Sequence, residues 1–193
     1  MRPTLNRMIN ILIHPKEEWQ AIRHEPTTYG DLLVQYVAPL AAIPPLAVIA
    51  GSFLFGKNLS NNSFAHLLIT NLLWYCMYVL NVVVVGAVIT SIVTPRDAQW
   101  TGLQGFKVAA YSFTPLFIAG FFVVIPKMDW VIYAAMLCSI YLIYLGIMAI
   151  AGTSKKRSAG YAAASFLSAA VLVGMMNLGE YFLESFVVTK FAL

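Results

Sequence analysis

Charged side chains are scarce in this chain: Lys and Arg together number 12 and Asp and Glu 8, a tenth of the 193 residues. A soluble globular domain carries about a quarter, so there are too few hydrated groups to cover one, and the water-soluble enzymes and binding modules are excluded as a class. Cysteine is nearly absent. Cys76 and Cys138 both fall in apolar runs, where a thiol packs as a small hydrophobe, so neither a disulfide framework nor a metal-ligand spacing is present. The chain has no HExxH, no GxSxG and no glycine-rich phosphate loop. The stretch Glu17-Glu18-Trp19-Gln20-Ala21-Ile22-Arg23 pairs glutamates as a prenyl-processing membrane peptidase does, but its arginine is one position too far along and it lies outside the apolar runs. No enzymatic activity and no cofactor are expected. No secretory leader is expected either, since the first apolar run, Met8 to Ile13, is shorter than a signal core needs.

Hydrophobicity is what the sequence has in excess, at 60% of residues with a mean hydropathy of +0.77. Charge-free runs cover residues 32–55, 64–93, 108–126, 130–151 and 159–179, each long enough for a helix to cross a hydrocarbon core. The expected fold is all-α, a polytopic membrane bundle of five transmembrane helices forming a single domain over residues 1–193. Residues 1–31 precede the first span. Leu5, Met8, Ile9 and Leu12 recur there at helical spacing with Arg7 and Asn10 turned away, and Pro15 followed by Glu17 and Glu18 suits the first turn of a second helix. This amphipathic segment lies either on lipid at the membrane surface or on its own protein.

Five spans put the N-terminal segment and the second and fourth connections on one side. That side holds Arg2, Arg7, Lys16, Arg23, Arg96, Lys107, Lys155, Lys156 and Arg157; the other holds Lys57, Lys127 and Lys190. Lysine and arginine accumulate on cytoplasmic loops, so the N-terminus is expected in the cytoplasm and the C-terminus in the periplasm or lumen. The same asymmetry accounts for the net charge of +4, and no nucleic-acid fold signature accompanies it. Arg7, Lys155, Lys156 and Arg157 are the expected contacts to lipid headgroups.

Residues 37–46 read VAPLAAIPPL, three prolines in a run without charge. In hydrocarbon every bare carbonyl costs several kcal/mol, so helices broken there must shelter against other protein. Pro39, Pro44 and Pro45 are therefore expected to break span one inside the bundle. Span three repeats the theme in Tyr111-Ser112-Phe113-Thr114-Pro115, whose hydroxyls can reach the carbonyls that Pro115 frees. With Gln35, Asn71 and Asn81 these residues form the expected polar core of the protein. In span five, Ala162 to Ser165, Ser168 to Ala170 and Gly174 make a small-residue surface for another helix, of this chain or of a homo- or hetero-oligomeric partner.

Three stretches together resemble the Yip family of five-span membrane proteins. His14-Pro15-x-x-x-Trp19 is similar to the start of the compact bacterial members, and Tyr111-Ser-Phe-Thr-Pro115 to the family's Tyr-Ser and proline motif in the third span. Gln35-Tyr-Val-Ala38-Pro39 replaces the Asp-Leu-Tyr-Gly-Pro of eukaryotic members, keeping a small residue before proline but no acidic one. The resemblance implies a five-span protein with a cytoplasmic N-terminus, here in the bacterial inner membrane. Eukaryotic members are associated with Rab GTPases and vesicle traffic. Two functions are expected on this basis: a non-enzymatic scaffold that organises the membrane or recruits partners, or a transporter or channel for a small solute, ion or lipid between the proline-broken spans one and three.

Overall fold

The computed structural model describes residues 4–55, 64–93, 100–125, 127–128 and 130–191. Arg2, Lys57, Arg96 and the Lys190 side chain, used in the charge count, lie outside the described residues, as does the expected end of span three at residue 126. Among the described residues every regular element is helical. Helix α1 covers Thr4–Ile13 and α2 covers Pro15–His24. The five spans follow as Tyr29–Leu54, Phe64–Ile92, Gly102–Val124, Trp130–Ala151 and Lys155–Gly179, the last belonging to a helix that runs to Phe191. The protein is an integral membrane protein. Leu54, Leu72, Tyr133, Leu137 and Leu167 are all more than half exposed on its flanks, the surface a hydrocarbon solvent requires.

Span boundaries differ from the sequence expectation where a polar residue is paired. Span one starts at Tyr29 rather than 32, because Thr28 caps it: Oγ1 accepts the Asp31 N–H at 3.1 Å. Span three starts at Gly102 rather than 108. Lys107 marks an apparent boundary only because an unpaired charge is not tolerated in hydrocarbon, and its ammonium is in fact occupied by α2. Span four closes on Gly152, whose φ of 64° is the left-handed helix-ending conformation open to glycine. Span five starts at Lys155, so Lys155, Lys156 and Arg157 lie exposed on its first helical turn and not in a loop.

The prolines do break their spans. Leu33–Val37 forms a π-helical turn immediately before Pro39, and Pro39 then lies in the first turn of Ala38–Ala41. After Ala42 the helix restarts over Ile43–Phe55, placing Pro44 and Pro45 in another first turn, where the missing N–H groups have no partner to lose. In span three, Phe113 interrupts the helix and Thr114–Ala119 begins anew with Pro115 in its first turn.

Span three is the centre of the bundle, 67% buried along its apolar window against 18% for span five. It meets span two where helices approach closely: a Cβ on Gly105 would sit 2.7 Å from the Gly86 carbonyl oxygen. Small residues allow such contact in membranes, where lipid supplies no hydrophobic drive between helices. Its far end lies on span one, for a methyl at Gly51 would fall 3.2 Å from Val124, and Gly120 has no room for a Cβ against the Pro44 ring.

Candidate functional site

Helix α1 carries its apolar stripe outward. Leu5, Ile9 and Leu12 are exposed, whereas Ile11 and Arg7, one turn apart, face inward and are buried. Arg7 is thus not a headgroup contact. It is 3% exposed and forms ion pairs with Glu18 and Glu25. The helical wheel already turns Arg7 away from the stripe; the direction it turns to is the protein, because α2 brings two carboxylates there.

Helix α2 docks into the end of the bundle. Trp19 and Ile22 are fully buried, and Gly146 of span four admits the indole so closely that a Cβ would lie 2.8 Å from Trp19 Cζ2. Both ends of the contact are fixed by cations on helix-terminal carbonyls, the placement the helix dipole favours. Lys107 Nζ donates to the Glu25 carbonyl at 2.7 Å and the Ile22 carbonyl at 3.4 Å, at the end of α2. Arg23 donates to the Ala149 carbonyl at 3.1 Å, near the end of span four. Of the two open placements for the segment, α2 therefore takes its own protein, while α1 still offers an apolar face outward.

Beneath this plug the two broken spans meet. The Tyr111 ring lies 4.7 Å from that of Tyr36 and 6.2 Å, edge-on, from Trp19, with the Arg7 guanidinium 5.6 Å from its centroid. Pro115 has no N–H for the Tyr111 carbonyl four residues back. Thr114 Oγ1 donates to that carbonyl instead, at 2.7 Å. A threonine hydroxyl has one proton, so the 2.8 Å contact with Tyr36 must be donated by the tyrosine. Tyr36, Thr114 and the Tyr111 backbone thus form one directed chain joining spans one and three.

The other expected core residues divide. Pro44, Pro45, Tyr111, Ser112, Thr114 and Pro115 are buried as a set. Gln35 and Pro39 are not: both are on the exposed face of span one, where the Gln35 amide donates to Asp31 at 3.3 Å. The π-helical turn that accommodates Pro39 sets this facing, turning Tyr36 and Val37 inward and their neighbours out. Asn71 is buried with its amide on the Leu67 carbonyl of its own helix, at 2.8 Å. Asn81 reaches span five, donating to the Ala169 carbonyl at 3.2 Å. In the span-five surface, Ala162, Ser165 and Ala169 face the bundle while Ala163, Ala164 and Gly174 face outward.

Sequence reasoning missed Tyr36, Lys107 and the inward roles of Glu18 and Glu25. One signal was present: Glu18, Trp19 and Ile22 fall on a single helical face, so a carboxylate shares the stripe of a tryptophan. Among the described residues no group of three or more metal-ligating side chains occurs. Together these residues make a salt-bridged plug over an aromatic and hydroxyl seam.

A cavity of about 530 Å³ lies deeper, among Pro44, Asn81, Phe117 and Gly174. A family model described as the Yip1 domain matches residues 9–177, and the chain belongs to that family. Neither the curated proteins nor the solved structures provide a match.

Proposed function

We propose that this member of the Yip1 family is a non-catalytic organiser of the membrane, presenting a preformed face to a partner. The observation that supports the reading is the seam: the two proline-broken spans close on each other through Tyr36, Thr114 and Tyr111 rather than lining a polar path. On that face α1 turns Leu5, Ile9 and Ile13 outward, a stripe suited to the interfacial layer of the bilayer. Helix α2 turns Lys16, Glu17, Gln20 and His24 to water, the surface a partner meets. Lys155, Lys156 and Arg157, exposed at the same end of the bundle, hold anionic headgroups there. We place this face in the cytoplasm, in a bacterial inner membrane.

Reconstitution tests the reading. Proteoliposomes of the full chain are expected to pass monovalent ions and small polar solutes no faster than empty liposomes. A photo-crosslinking residue placed at Gln20 is expected to capture one defined protein in intact cells, and the capture is lost when the neighbouring Glu17→Lys change reverses the surface charge. Flux above the empty-liposome rate that disappears in Pro44→Ala would overturn the proposal in favour of transport.

A further inference from the structure

The cavity has a composition unlike the seam above it. Its walls are apolar and aromatic, with Phe113, Phe117 and Tyr78 on one side and Ala170, Val173 and Gly174 of span five on the other. Its volume of about 530 Å³ falls within the roughly 300–1,000 Å³ of small-molecule sites. The span-five residues on its rim are exposed, and a Cβ added at Gly174 meets nothing within 4 Å, so the cleft opens sideways between helices. In a protein whose flanks are apolar, that opening leads into hydrocarbon.

Two asparagines break the apolar lining: Asn177, exposed on span five with its amide on the Val173 carbonyl, and Asn81, which is buried. Asn81 is 6% exposed; its Nδ2 is committed to the Ala169 carbonyl, and its Oδ1 has no hydrogen-bond partner. The bond to a carbonyl settles the amide orientation, because only the nitrogen can donate, so the unsatisfied atom is an acceptor. A buried acceptor without a donor costs about 1–3 kcal/mol. Asn81 also lies about 16 Å of helix axis from Ile92 at 1.5 Å per residue, near the middle of a hydrocarbon core about 30 Å thick. Charged headgroups do not descend that far. A neutral lipid whose polar part is one hydroxyl does, and its lone O–H is costly in hydrocarbon unless something accepts from it.

We propose that the cleft, lined by spans two, three and five with Pro44 of span one and Ile132 and Met136 of span four, binds a neutral lipid, a hydrocarbon chain bearing a hydroxyl that donates to Asn81. The chain fills the apolar walls and the hydroxyl satisfies the buried amide oxygen of Asn81. Phospholipid tails fit the walls but leave Asn81 unsatisfied, so they are held less well.

The full chain in phosphatidylcholine nanodiscs is labelled with a long-chain alcohol carrying a mid-chain diazirine, and in parallel with the methyl ether of the same probe. The alcohol is expected to crosslink peptides of spans two and five roughly fivefold more than the ether, the ratio for one neutral hydrogen bond. Asn81→Leu is expected to bring the two probes level. Gly174→Leu, at a position with open space for a side chain, is expected to suppress both. Equal labelling of the unaltered protein by the two probes overturns the hydroxyl recognition, and labelling that survives Gly174→Leu overturns the site. Should Asn81→Leu fail to fold, the probe comparison and Gly174→Leu decide alone.

Discussion

Arg7 shows how little a single charge reveals without its partners. In isolation it marks the polar side of an amphipathic helix; in the folded chain it neutralises Glu18, 4% exposed, and Glu25, 15% exposed, while its guanidinium lies over Tyr111. The pairing is asymmetric, one guanidinium bound to two carboxylates. Removing a buried partner costs about 3–5 kcal/mol because charge is left uncompensated. Arg7→Met should therefore lower stability by about that amount, since both carboxylates lose their shared cation, whereas Glu18→Gln leaves Arg7 paired with Glu25 and should cost at most about half as much. Denaturant unfolding of the purified protein in one detergent, followed by far-UV circular dichroism, compares the two. Equal losses, or a larger loss in Glu18→Gln, would mean that Arg7 does not hold the plug through both acids.

Helices in this bundle are interrupted where the chain can resupply the hydrogen bonds that proline removes. Span three is the clearest case, because the donor that replaces the Pro115 N–H is adjacent in sequence, and Thr114 next to Pro115 was readable as such in advance. Span one was only half readable. Three prolines announce breaks, but the π-helical turn over Leu33–Val37 shifts the register, and no periodicity in the sequence signals it; hence Gln35 and Pro39 face outward and Tyr36 takes the place in the seam. The substitution of one donor for another has a measurable consequence. Thr114→Val deprives the Tyr111 carbonyl of its donor and the Tyr36 hydroxyl of its acceptor, at a cost of about 1–3 kcal/mol per stranded group. In a Pro115→Ala background the new backbone N–H serves the carbonyl, so the same Thr114→Val change should cost about 1 kcal/mol less. A double-mutant cycle in thermal or denaturant unfolding reads the difference directly. An identical cost in both backgrounds means the threonine hydroxyl is not standing in for the proline.

At the level of the whole molecule, hydropathy was sufficient to count the spans, since five helices among the described residues are long and apolar enough to cross a membrane. It was insufficient for the docking of α2, which depends on contacts such as Lys107 with Ile22 that join distant parts of the chain. A charge that ends an apolar run in sequence can be sheltered by a segment dozens of positions away, and only the folded chain shows which. The distribution of charge also makes a claim that helix packing does not. Lys16 and Arg23 belong to α2 and Lys155, Lys156 and Arg157 to the first turn of span five, and the proposed orientation puts them in the cytoplasm, where lysine and arginine accumulate. On that proposal five crossings would leave Leu193 on the opposite side. Two measurements in cells expressing the full chain should agree. An alkaline phosphatase fusion after Leu193 should be active, since that enzyme matures only outside the cytoplasm, and a cysteine introduced at the exposed Gln20 should resist a membrane-impermeant maleimide until the cells are opened. Labelling of Gln20→Cys in intact cells together with an inactive fusion would invert the whole arrangement, putting the salt-bridged plug outside and leaving the charge asymmetry without a physical cause.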